Sequence, residues 1–356
     1  MIKIKSVSVL LTMSFITLVF SGCTIVTSTS QTASNNTGGI FLSNDKGDTW
    51  KSKSSIPTVS GTAKSFAGLD VLSLAIDPSD SKAIYFGSAG SGLLFSYNGS
   101  ETWQVASGLG NNSVKAIAID PADKCNIYLA IANKVMQSSD CNRTWAQVYV
   151  DDPTVSVDSI AIDHYNSSVI YISVSRGDLI KSEDKGEGWQ TIFRSKDKIR
   201  KIAIDPNDSR KLYLATEKKG AFFTRDGGQN WSDLNKILSE NKLGQDVRDI
   251  SLVKSEQDTV LIATAYGILR SKNGGDTWDN IELIPPENKA SINAMAVNPN
   301  NSQEIYYVTN TTFYRSIDGG TSWKPLKLPT DRAGAKLLVD PQNANVIYLA
   351  VKTITK

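Results

Sequence analysis

Histidine, the side chain that most often moves protons in enzymes, occurs only once among the 356 residues of this chain, as His164. No second histidine is available to share a metal ion with it, so the sequence predicts no metal site. Catalysis by serine, histidine and aspartate would depend on this one residue, and a solvated turn residue is the simpler interpretation. The sequence therefore predicts no cofactor and directs attention away from metal and nucleophilic chemistry.

Charged side chains are the other residues able to do chemistry, here through electrostatic recognition. Basic residues gather between positions 194 and 219, and an acidic group precedes them at Asp151, Asp152 and Asp158. If the fold brings both groups to one surface, we expect a basic sector beside an acidic sector, although ordinary loop charge would produce the same sequence. The predicted basic sector consists of Arg194, Lys196, Lys198, Arg200, Lys201, Lys218 and Lys219.

The elements that must position these charges repeat along the chain. Seven octapeptides each begin with Ser or Thr, carry Asp or Asn at the third position and end in Trp. Successive tryptophans are 53, 42, 44, 42, 47 and 45 residues apart, a period typical of repeat architectures. The third-position residues are Asp45, Asn98, Asp140, Asp184, Asp226, Asn273 and Asp318, and the tryptophans are Trp50, Trp103, Trp145, Trp189, Trp231, Trp278 and Trp323.

These octapeptides resemble the Asp box, or BNR repeat, of sialidases, sortilin-type receptors, xyloglucan-specific endoglucanases and photosystem II assembly factors. In such a turn the Asp or Asn oxygen accepts backbone amides, glycine adopts positive φ, and Trp covers the end of the hairpin. Two copies depart from the pattern. Asn142 stands where glycine is expected, which the tolerance of Asn for positive φ explains, and Gly99-Ser100 shifts the glycine by one position, which would distort that turn.

A second motif recurs between the boxes, an apolar run that usually ends in Asp-Pro, as in Ile117-Ala-Ile-Asp-Pro121. Read in order, each unit contains four short strands separated by turns, the pattern of a four-stranded antiparallel blade. Residues 39–54 hold only the last two strands of a unit and residues 334–352 only the first two, so we expect the termini to share a composite blade. The sequence therefore predicts an all-β fold, a single seven-bladed β-propeller over residues 38–356.

The blade topology places the boxes and the Asp-Pro turns at one end of the propeller and the connections between blades at the other end. This second end surrounds the channel mouth, and we refer to it as the channel face. The polar residue after each apolar strand start is expected to point toward the mouth. Besides the basic sector, the predicted partner-binding residues on the channel face are Lys115, Asp158, Arg248, Asp249 and Asn293.

The longest connection, residues 51–70, also opens on the channel face. Loops of this length without regular structure are often functional. Phe66 and Leu69 are its apolar residues of interest. They are expected either to form a contact patch or to cover the channel rim.

The first 22 residues read as an export signal, with two lysines followed by an apolar stretch. Phe20-Ser-Gly-Cys23 resembles a bacterial lipobox, which implies lipid attachment at Cys23 and a bacterial cell envelope location outside the cytoplasm. A plain signal peptide or an uncleaved anchor is the alternative. Residues 23–37 are rich in Ser, Thr and Asn and are expected to be a disordered tether.

The two remaining cysteines, Cys125 and Cys141, flank a predicted hairpin whose turn lies near Asn133. Positions that face each other in that hairpin have numbers summing to about 266, which fits this pair. An exported protein meets oxidising conditions, so the pattern predicts a disulfide, with two unpaired thiols as the alternative.

The net charge of +2 comes from Lys3 and Lys5, and removal of the signal leaves 36 basic and 36 acidic residues. No global field therefore attracts nucleic acid. The architecture and anchor are most similar to photosystem II assembly-factor lipoproteins, and they predict a membrane-tethered binding or assembly-scaffold protein. We expect a monomeric propeller whose ligand is an unidentified protein or glycan.

A carbohydrate-binding or glycoside-hydrolysing propeller, similar to sialidases or xyloglucanases, is the alternative function. The Arg-Ile-Pro segment expected of sialidases is absent from the sequence. The near-constant repeat spacing also leaves few long loops to wall a substrate pocket.

Overall fold

Seven four-stranded antiparallel sheets follow one another along the chain in the computed structural model. The structure describes residues 38–241, 243–285, 289 and 291–354. The predicted signal peptide, the lipid site at Cys23 and the tether lie outside the described residues. No helix in the described ranges is long and apolar enough to cross a membrane.

Six blades take their strands in sequence order, with one antiparallel neighbour after another. Blades 1 to 6 consist of Val71–Ile76, Ile84–Ser88, Leu93–Ser96 and Gln104–Val105; Val114–Ile119, Ile127–Ile131, Lys134–Ser138 and Ala146–Val150; Val157–Ile162, Ile170–Val174, Asp178–Ser182 and Gln190–Arg194; Ile199–Asp205, Asp208–Thr216, Ala221–Thr224 and Ser232–Asp233; Val247–Leu252, Val260–Thr264, Ile268–Ser271 and Asp279–Ile281; Ala294–Asn298, Asn301–Val308, Thr312–Ser316 and Lys324–Lys327.

The seventh blade joins the two ends of the propeller, as the sequence predicts. Its strands are, from the inside outward, Ala333–Val339, Ile347–Lys352, Ile40–Ser43 and Lys51–Ser52. The first strand of every blade contacts the first strands of both neighbours, and the composite blade contacts blades 6 and 1 in the same way. The ring is therefore closed, and the prediction of a seven-bladed β-propeller is confirmed.

The apolar core lies between blades rather than inside them. Seven buried clusters each combine residues from two adjacent blades. Each tryptophan that ends an octapeptide packs on the cluster that its blade shares with the preceding blade. In blade 3, for example, the indole N–H of Trp189 donates to the carbonyl of Val148 in blade 2, 3.0 Å away. The tryptophans therefore stabilise contacts between repeats, beyond the predicted cover of their own hairpins.

The turn of each octapeptide satisfies its own backbone groups. In blade 6, Oδ1 of Asp318 accepts the amide of Ser322 at 2.9 Å and the hydroxyl of Ser316 at 2.8 Å, while Gly320 adopts a φ of 90°. Hydrogen bonds from Ser322 hold the pKa of Asp318 down, at about 2. The predicted distortion at Gly99-Ser100 is wrong, because Ser100 itself adopts a φ of 67° and keeps the amide bond to Ser96 Oγ at 3.0 Å.

Two short elements lie outside the blades. Ser55–Ile56 pairs with Lys64–Ser65 within the long connection after the composite blade, and a single-turn helix spans Asn235–Glu240 after blade 4. Phe66 is buried between the composite blade and blade 1, where its ring centroid lies 5.3 Å from that of Trp103. Phe66 is therefore a core residue and not part of a contact patch. Leu69 packs partly buried against the same cluster.

The first turn of blade 5 differs from the others because Val253-Lys254 stands where the recurrent Asp-Pro pair is expected. In blade 1, Oδ1 of Asp77 accepts the amide of Ser79 at 2.8 Å, a bond that the corresponding Val253 cannot form. The backbone hydrogen bond that closes this turn is retained, since the amide of Val253 donates to the carbonyl of Thr259 at 3.2 Å. Glu256 from this turn instead bonds Ser302 of blade 6.

Cys125 and Cys141 are joined as a disulfide, with their Cα atoms 4.0 Å apart. The strands between them pair Ile127 with Ser138 and Tyr128 with Gln137, so facing positions sum to 265, one less than the sequence estimate. His164 is half-buried beside Tyr165, with ring centroids 4.5 Å apart, and is not the freely solvated residue that the sequence suggests.

Candidate functional site at the channel mouth

In blades 2 to 5, a β-bulge near the start of the first strand presents a charged residue at the channel mouth. In blades 2 to 5 the register of the first strand skips one residue, namely Lys115, Asp158, Arg200 and Arg248 in turn. The residue before each bulge is a fully buried Val or Ile, which confirms that the apolar residue anchors the strand. A bulge leaves its extra residue unpaired and redirects its side chain, so these four charges are turned away from the ladder.

The predicted basic and acidic sectors are not separate. Oδ1 of Asp158 lies 2.9 Å from the ammonium of Lys115 and 3.8 Å from that of Lys198, and it accepts the hydroxyl of Ser156 at 3.0 Å. The Asp158 side chain is only 4% exposed. One carboxylate therefore connects cations from blade 2 and from the start of blade 4, because neighbouring strand starts converge at the mouth.

Further ion pairs link blades 4 and 5. Arg200 bonds Asp246 at 2.5 Å and Glu217 at 3.2 Å, and Arg248 bonds the other oxygen of Asp246 at 2.6 Å. Two cations and two carboxylates thus neutralise one another across the boundary between these blades.

A third pair at this boundary joins Lys201 of blade 4 to Asp249 of blade 5. Glycosidases place two carboxylates on opposite sides of the scissile bond. The carboxylates of Asp158, Asp246 and Asp249 are instead each bonded to cations, so this arrangement offers no support for glycoside hydrolysis.

The outer part of the channel face is also paired. Arg176 bonds Asp151 at 2.7 Å and Asp178 at 2.6 Å, and Arg194 lies 3.3 Å from the second oxygen of Asp178. Burial acts to raise the pKa of Asp151, but hydrogen bonds from Arg176 and Tyr149 bring it below the usual value. Asp151 is therefore a neutralised anion and not a free acidic surface. Asp152 caps its own turn, accepting the Thr154 amide at 2.8 Å.

Within the predicted basic sector, three lysines are exposed without an ion pair among the described residues, namely Lys196, Lys218 and Lys219. They come from two loops that one carboxylate holds together. Oδ2 of Asp197 accepts the backbone amides of Lys218 at 2.5 Å and Lys219 at 3.0 Å. The three ammonium groups thus extend from a fixed backbone, and we name them the lysine patch.

Sequence reasoning missed one cation, Lys336 on the first strand of the composite blade. Its side chain reaches the channel but is surrounded by protein, and this burial lowers its pKa. The nearby cations Lys201, Lys352 and Arg200 also lower the pKa of Lys336, whereas Asp249 raises it. Lys336 stands four residues before Asp340, as Lys201 stands four before Asp205. That shared offset from the Asp of the recurrent turn was the signal available in the sequence.

The same offset selects one residue from the first strand of every blade. Charged residues occupy it in blades 4, 5 and 7, and small residues occupy it elsewhere; the set is Ser73, Ala116, Ser159, Lys201, Asp249, Ala294 and Lys336. Asn293, just before the blade 6 strand, donates to Oδ1 of Asn310 at 2.9 Å. The described residues contain no group of three metal-ligating side chains.

Comparison with known proteins agrees with this architecture. Residues 266–355 match the model of the family described as sortilin, neurotensin receptor 3. The chain is 17% identical to the GH74 xyloglucanase from Xanthomonas campestris, with a TM-score of 0.65, over 80% of this chain and 51% of that one. It thus spans about half the length of that enzyme.

Two YCF48 structures are similar over nearly their whole length. YCF48 bound to D1 peptide is 13% identical with a TM-score of 0.60, covering 80% of this chain and 94% of that chain. YCF48 from Cyanidioschyzon merolae is 11% identical with a TM-score of 0.61, covering 80% and 95%. No curated protein matches the sequence. At these identities the likeness shows the fold, and the predicted resemblance to Asp-box propellers of both kinds is confirmed at that level.

Proposed function

We propose that this seven-bladed Asp-box propeller is a membrane-tethered binding or assembly-scaffold protein that docks an acidic protein surface on its channel face. The observation that carries the proposal is the lysine patch. Lys196, Lys218 and Lys219 are exposed and unpaired in the described structure, whereas the charges around them are neutralised within the fold. An incoming acidic surface would therefore meet these three ammonium groups first.

Preorganisation of the lysine patch supports docking. The amides of Lys218 and Lys219 donate to Asp197 and fix both loops before a partner arrives, so little backbone entropy is lost on binding. Exposed charges at a rim mainly accelerate association and make it sensitive to salt. Peptide binding by a structurally similar propeller, YCF48 with D1 peptide, is consistent with such a role without identifying the partner here.

The test is crosslinking in intact membranes, followed by purification of the chain and identification of crosslinked proteins. Replacing all three lysines of the patch by Glu is expected to slow association about tenfold or more and to remove most of its salt dependence. This set is a cleaner test than reversal of Lys198 or Arg200, because those two residues support ion pairs within the fold.

Three exposed lysines on the opposite face, Lys82, Lys185 and Lys272, provide the matched control. Their reversal to Glu changes the net charge equally and should leave association intact. Lys46 is unsuitable, because it bonds Glu304 at 2.8 Å. Equal losses from both triple variants would indicate a nonspecific charge effect, and an unaffected patch variant would remove the basis for placing the site here.

Membrane tethering requires its own experiment. The proposal rests on the resemblance of Phe20-Ser-Gly-Cys23 to a lipobox. Cys23→Ala is expected to abolish lipid attachment and to release correctly cleaved protein from the membrane fraction, with cleavage followed by mass spectrometry. Retention of a cleaved, unmodified variant in the membrane would contradict the lipid anchor.

A further inference from the structure

Two lysines of the composite blade, Lys336 and Lys352, lie outside the lysine patch and take no part in the proposed docking. Lys336 belongs to the first strand of the blade, and Lys352 ends the second strand. Both residues are exposed, and neither ammonium group forms an ion pair or a hydrogen bond within the described part of the chain. The composite blade therefore carries two cations that the fold itself does not neutralise.

The pairing of the two strands places both side chains on one face of the blade. Lys336 pairs with Ala350, and Ala350 and Lys352 are two residues apart on the same strand. Paired residues point to the same side of an antiparallel sheet, and so do residues two apart along a strand. The Cα atoms of such diagonal neighbours are about 7–8 Å apart, within reach of long side chains. Ala350 is buried in the cluster that the composite blade shares with blade 1, so this face is turned toward blade 1.

Other blades bond the polar residue at the position of Lys336 to the next blade. Ser73 of blade 1 donates its hydroxyl to the carbonyl of Val114 in blade 2 at 2.9 Å, and Lys201 of blade 4 bonds Asp249 of blade 5. Blade 1 follows the composite blade, and the residue that corresponds there to Asp249 is Ser73. Lys336 therefore lacks the carboxylate that serves Lys201.

The carboxylate of Asp249 does not replace the missing partner. Burial lowers the pKa of Lys336 most, and of the charges that act on this lysine only Asp249 is negative. Oδ1 of Asp249 bonds the ammonium of Lys201, and its Oδ2 accepts the amide of Met295 at 3.4 Å. Lys201 thus offsets the charge of Asp249, and the surroundings of Lys336 remain positive on balance.

The carboxylate of Asp70, which follows the long connection into blade 1, is also engaged. Its Oδ1 accepts the amide of Thr353 at 2.7 Å, the hydroxyl of Thr353 at 2.9 Å and the guanidinium of Arg332 at 3.1 Å. These bonds hold the end of the second strand against blade 1, and Arg332 offsets the negative charge. The described residues therefore supply no carboxylate to either Lys336 or Lys352.

We propose that Lys336 and Lys352 together bind a small molecule or ion that carries a phosphate group, where the composite blade faces blade 1. Two neighbouring ammonium groups suit a ligand with two negative charges and several acceptor oxygens. Lys336 is surrounded by protein, so the ligand must be small enough to enter the channel, which favours free phosphate or a short phosphate ester over a membrane surface. The site is independent of docking at the lysine patch, so either proposal can fail while the other stands.

The test is calorimetric titration of the full-length chain with inorganic phosphate and with glycerol 3-phosphate, at low salt and in a buffer without other oxyanions. We expect both probes to bind, and Lys336→Met and Lys352→Met each to weaken binding about tenfold, the loss of one hydrogen bond between charged groups. Methionine retains an unbranched apolar side chain and removes only the charge. Acetate has a single negative charge and should bind about tenfold more weakly than phosphate.

Lys134→Met is the matched control, because Lys134 is an exposed lysine of blade 2 without an ion pair in the described structure. It should bind phosphate as the unmodified chain does. Neither variant of the site should lower the thermal midpoint in phosphate-free buffer, since each removes one of two like charges that repel. Phosphate should raise the midpoint of the unmodified chain.

Four results would overturn the proposal. They are the absence of saturable phosphate binding by the unmodified chain, unchanged affinity in either Lys336→Met or Lys352→Met, an equal loss in Lys134→Met, and acetate binding as tight as that of phosphate.

Discussion

The third-position residues of the Asp boxes and the carboxylates at the channel mouth form hydrogen bonds of different kinds. In every box the third-position carboxylate or amide accepts a backbone amide of its own turn, as Asp226 does from Asn230 at 2.9 Å and Asn273 from Thr277 at 2.9 Å. On the channel face, carboxylates bond cations from other blades, as Asp158 does with Lys115 at 2.9 Å. The first arrangement repeats around the ring, and the second differs at each blade boundary.

This difference has a physical origin. A turn closed by its own side chain constrains residue type at fixed spacing, so every copy must keep the same chemistry. Contacts between strand starts constrain only the sum of charges at a boundary, so each boundary is free to vary. Variation on the channel face therefore leaves room for recognition, whereas the boxes keep Ser or Thr, Asp or Asn, and Trp at fixed positions.

Both faces exist only while the ring of blades is closed, so opening the ring should cause the largest loss of stability. Deletion of residues 333–356 removes the two inner strands of the composite blade and exposes the paired edge of Ile40–Ser43. We expect aggregation or loss of cooperative unfolding, because unpaired strand edges associate. An unchanged urea unfolding midpoint in the truncated protein would contradict closure by the composite blade.

The next effect tests whether the Asp-box face stabilises contacts between blades. Trp103 is fully buried against Phe66 and Phe86. Trp103→Ala should lower the free energy of unfolding by about 3–5 kcal/mol, as measured by urea titration. Lys272→Ala, an exposed substitution in another box, should cause almost no change, and a similarly small change for Trp103→Ala would mean that the tryptophan covers only its own turn.

A smaller loss of stability is expected when an ion pair on the channel face is broken. Asp158→Ala leaves the half-buried ammonium of Lys115 without its carboxylate, so the free energy of unfolding should fall by about 1–3 kcal/mol. Adding Lys115→Met should recover part of this loss, because no unpaired charge then remains. Additive losses in the double variant, measured by the same titration, would show that the two side chains are not coupled.

The smallest change in stability is expected when the third-position Asp of one box is replaced by the Asn found in other boxes. Asp318→Asn should leave the urea midpoint at neutral pH unchanged, because Asn98 and Asn273 already fill this position in other blades. The pKa of Asp318 is lowered from 3.8 to about 2 by bonds from Ser322. Since its folded pKa is depressed, the stability it contributes is present above about pH 4 and lost as the pH falls toward about 2. The variant should therefore lose less stability on acidification.

Urea titrations of both proteins at about pH 5 and about pH 2.5 measure this difference. An equal loss in the two proteins would show that the box carboxylate does not titrate with folding. A lowered midpoint for Asp318→Asn at neutral pH would show that the boxes are not interchangeable.

The sequence alone determined the blade number, the strand order, the composite blade and the identity of the channel face. These follow from period and turn chemistry, which act within one repeat. It also predicted that Lys115, Asp158, Arg200 and Arg248 would point toward the mouth, since each follows an apolar anchor, but it did not predict the β-bulges that turn them away from the ladder.

Only the tertiary structure decided how these charges are used. Whether Arg200 is a free cation or a partner of Asp246 depends on the distance between strand starts 46 residues apart, which no local pattern contains. The same holds for Phe66, which became core, and for Lys336, which joined the channel through closure of the ring. Local hydrogen bonding is encoded within each repeat, whereas charge pairing arises from which repeats become neighbours.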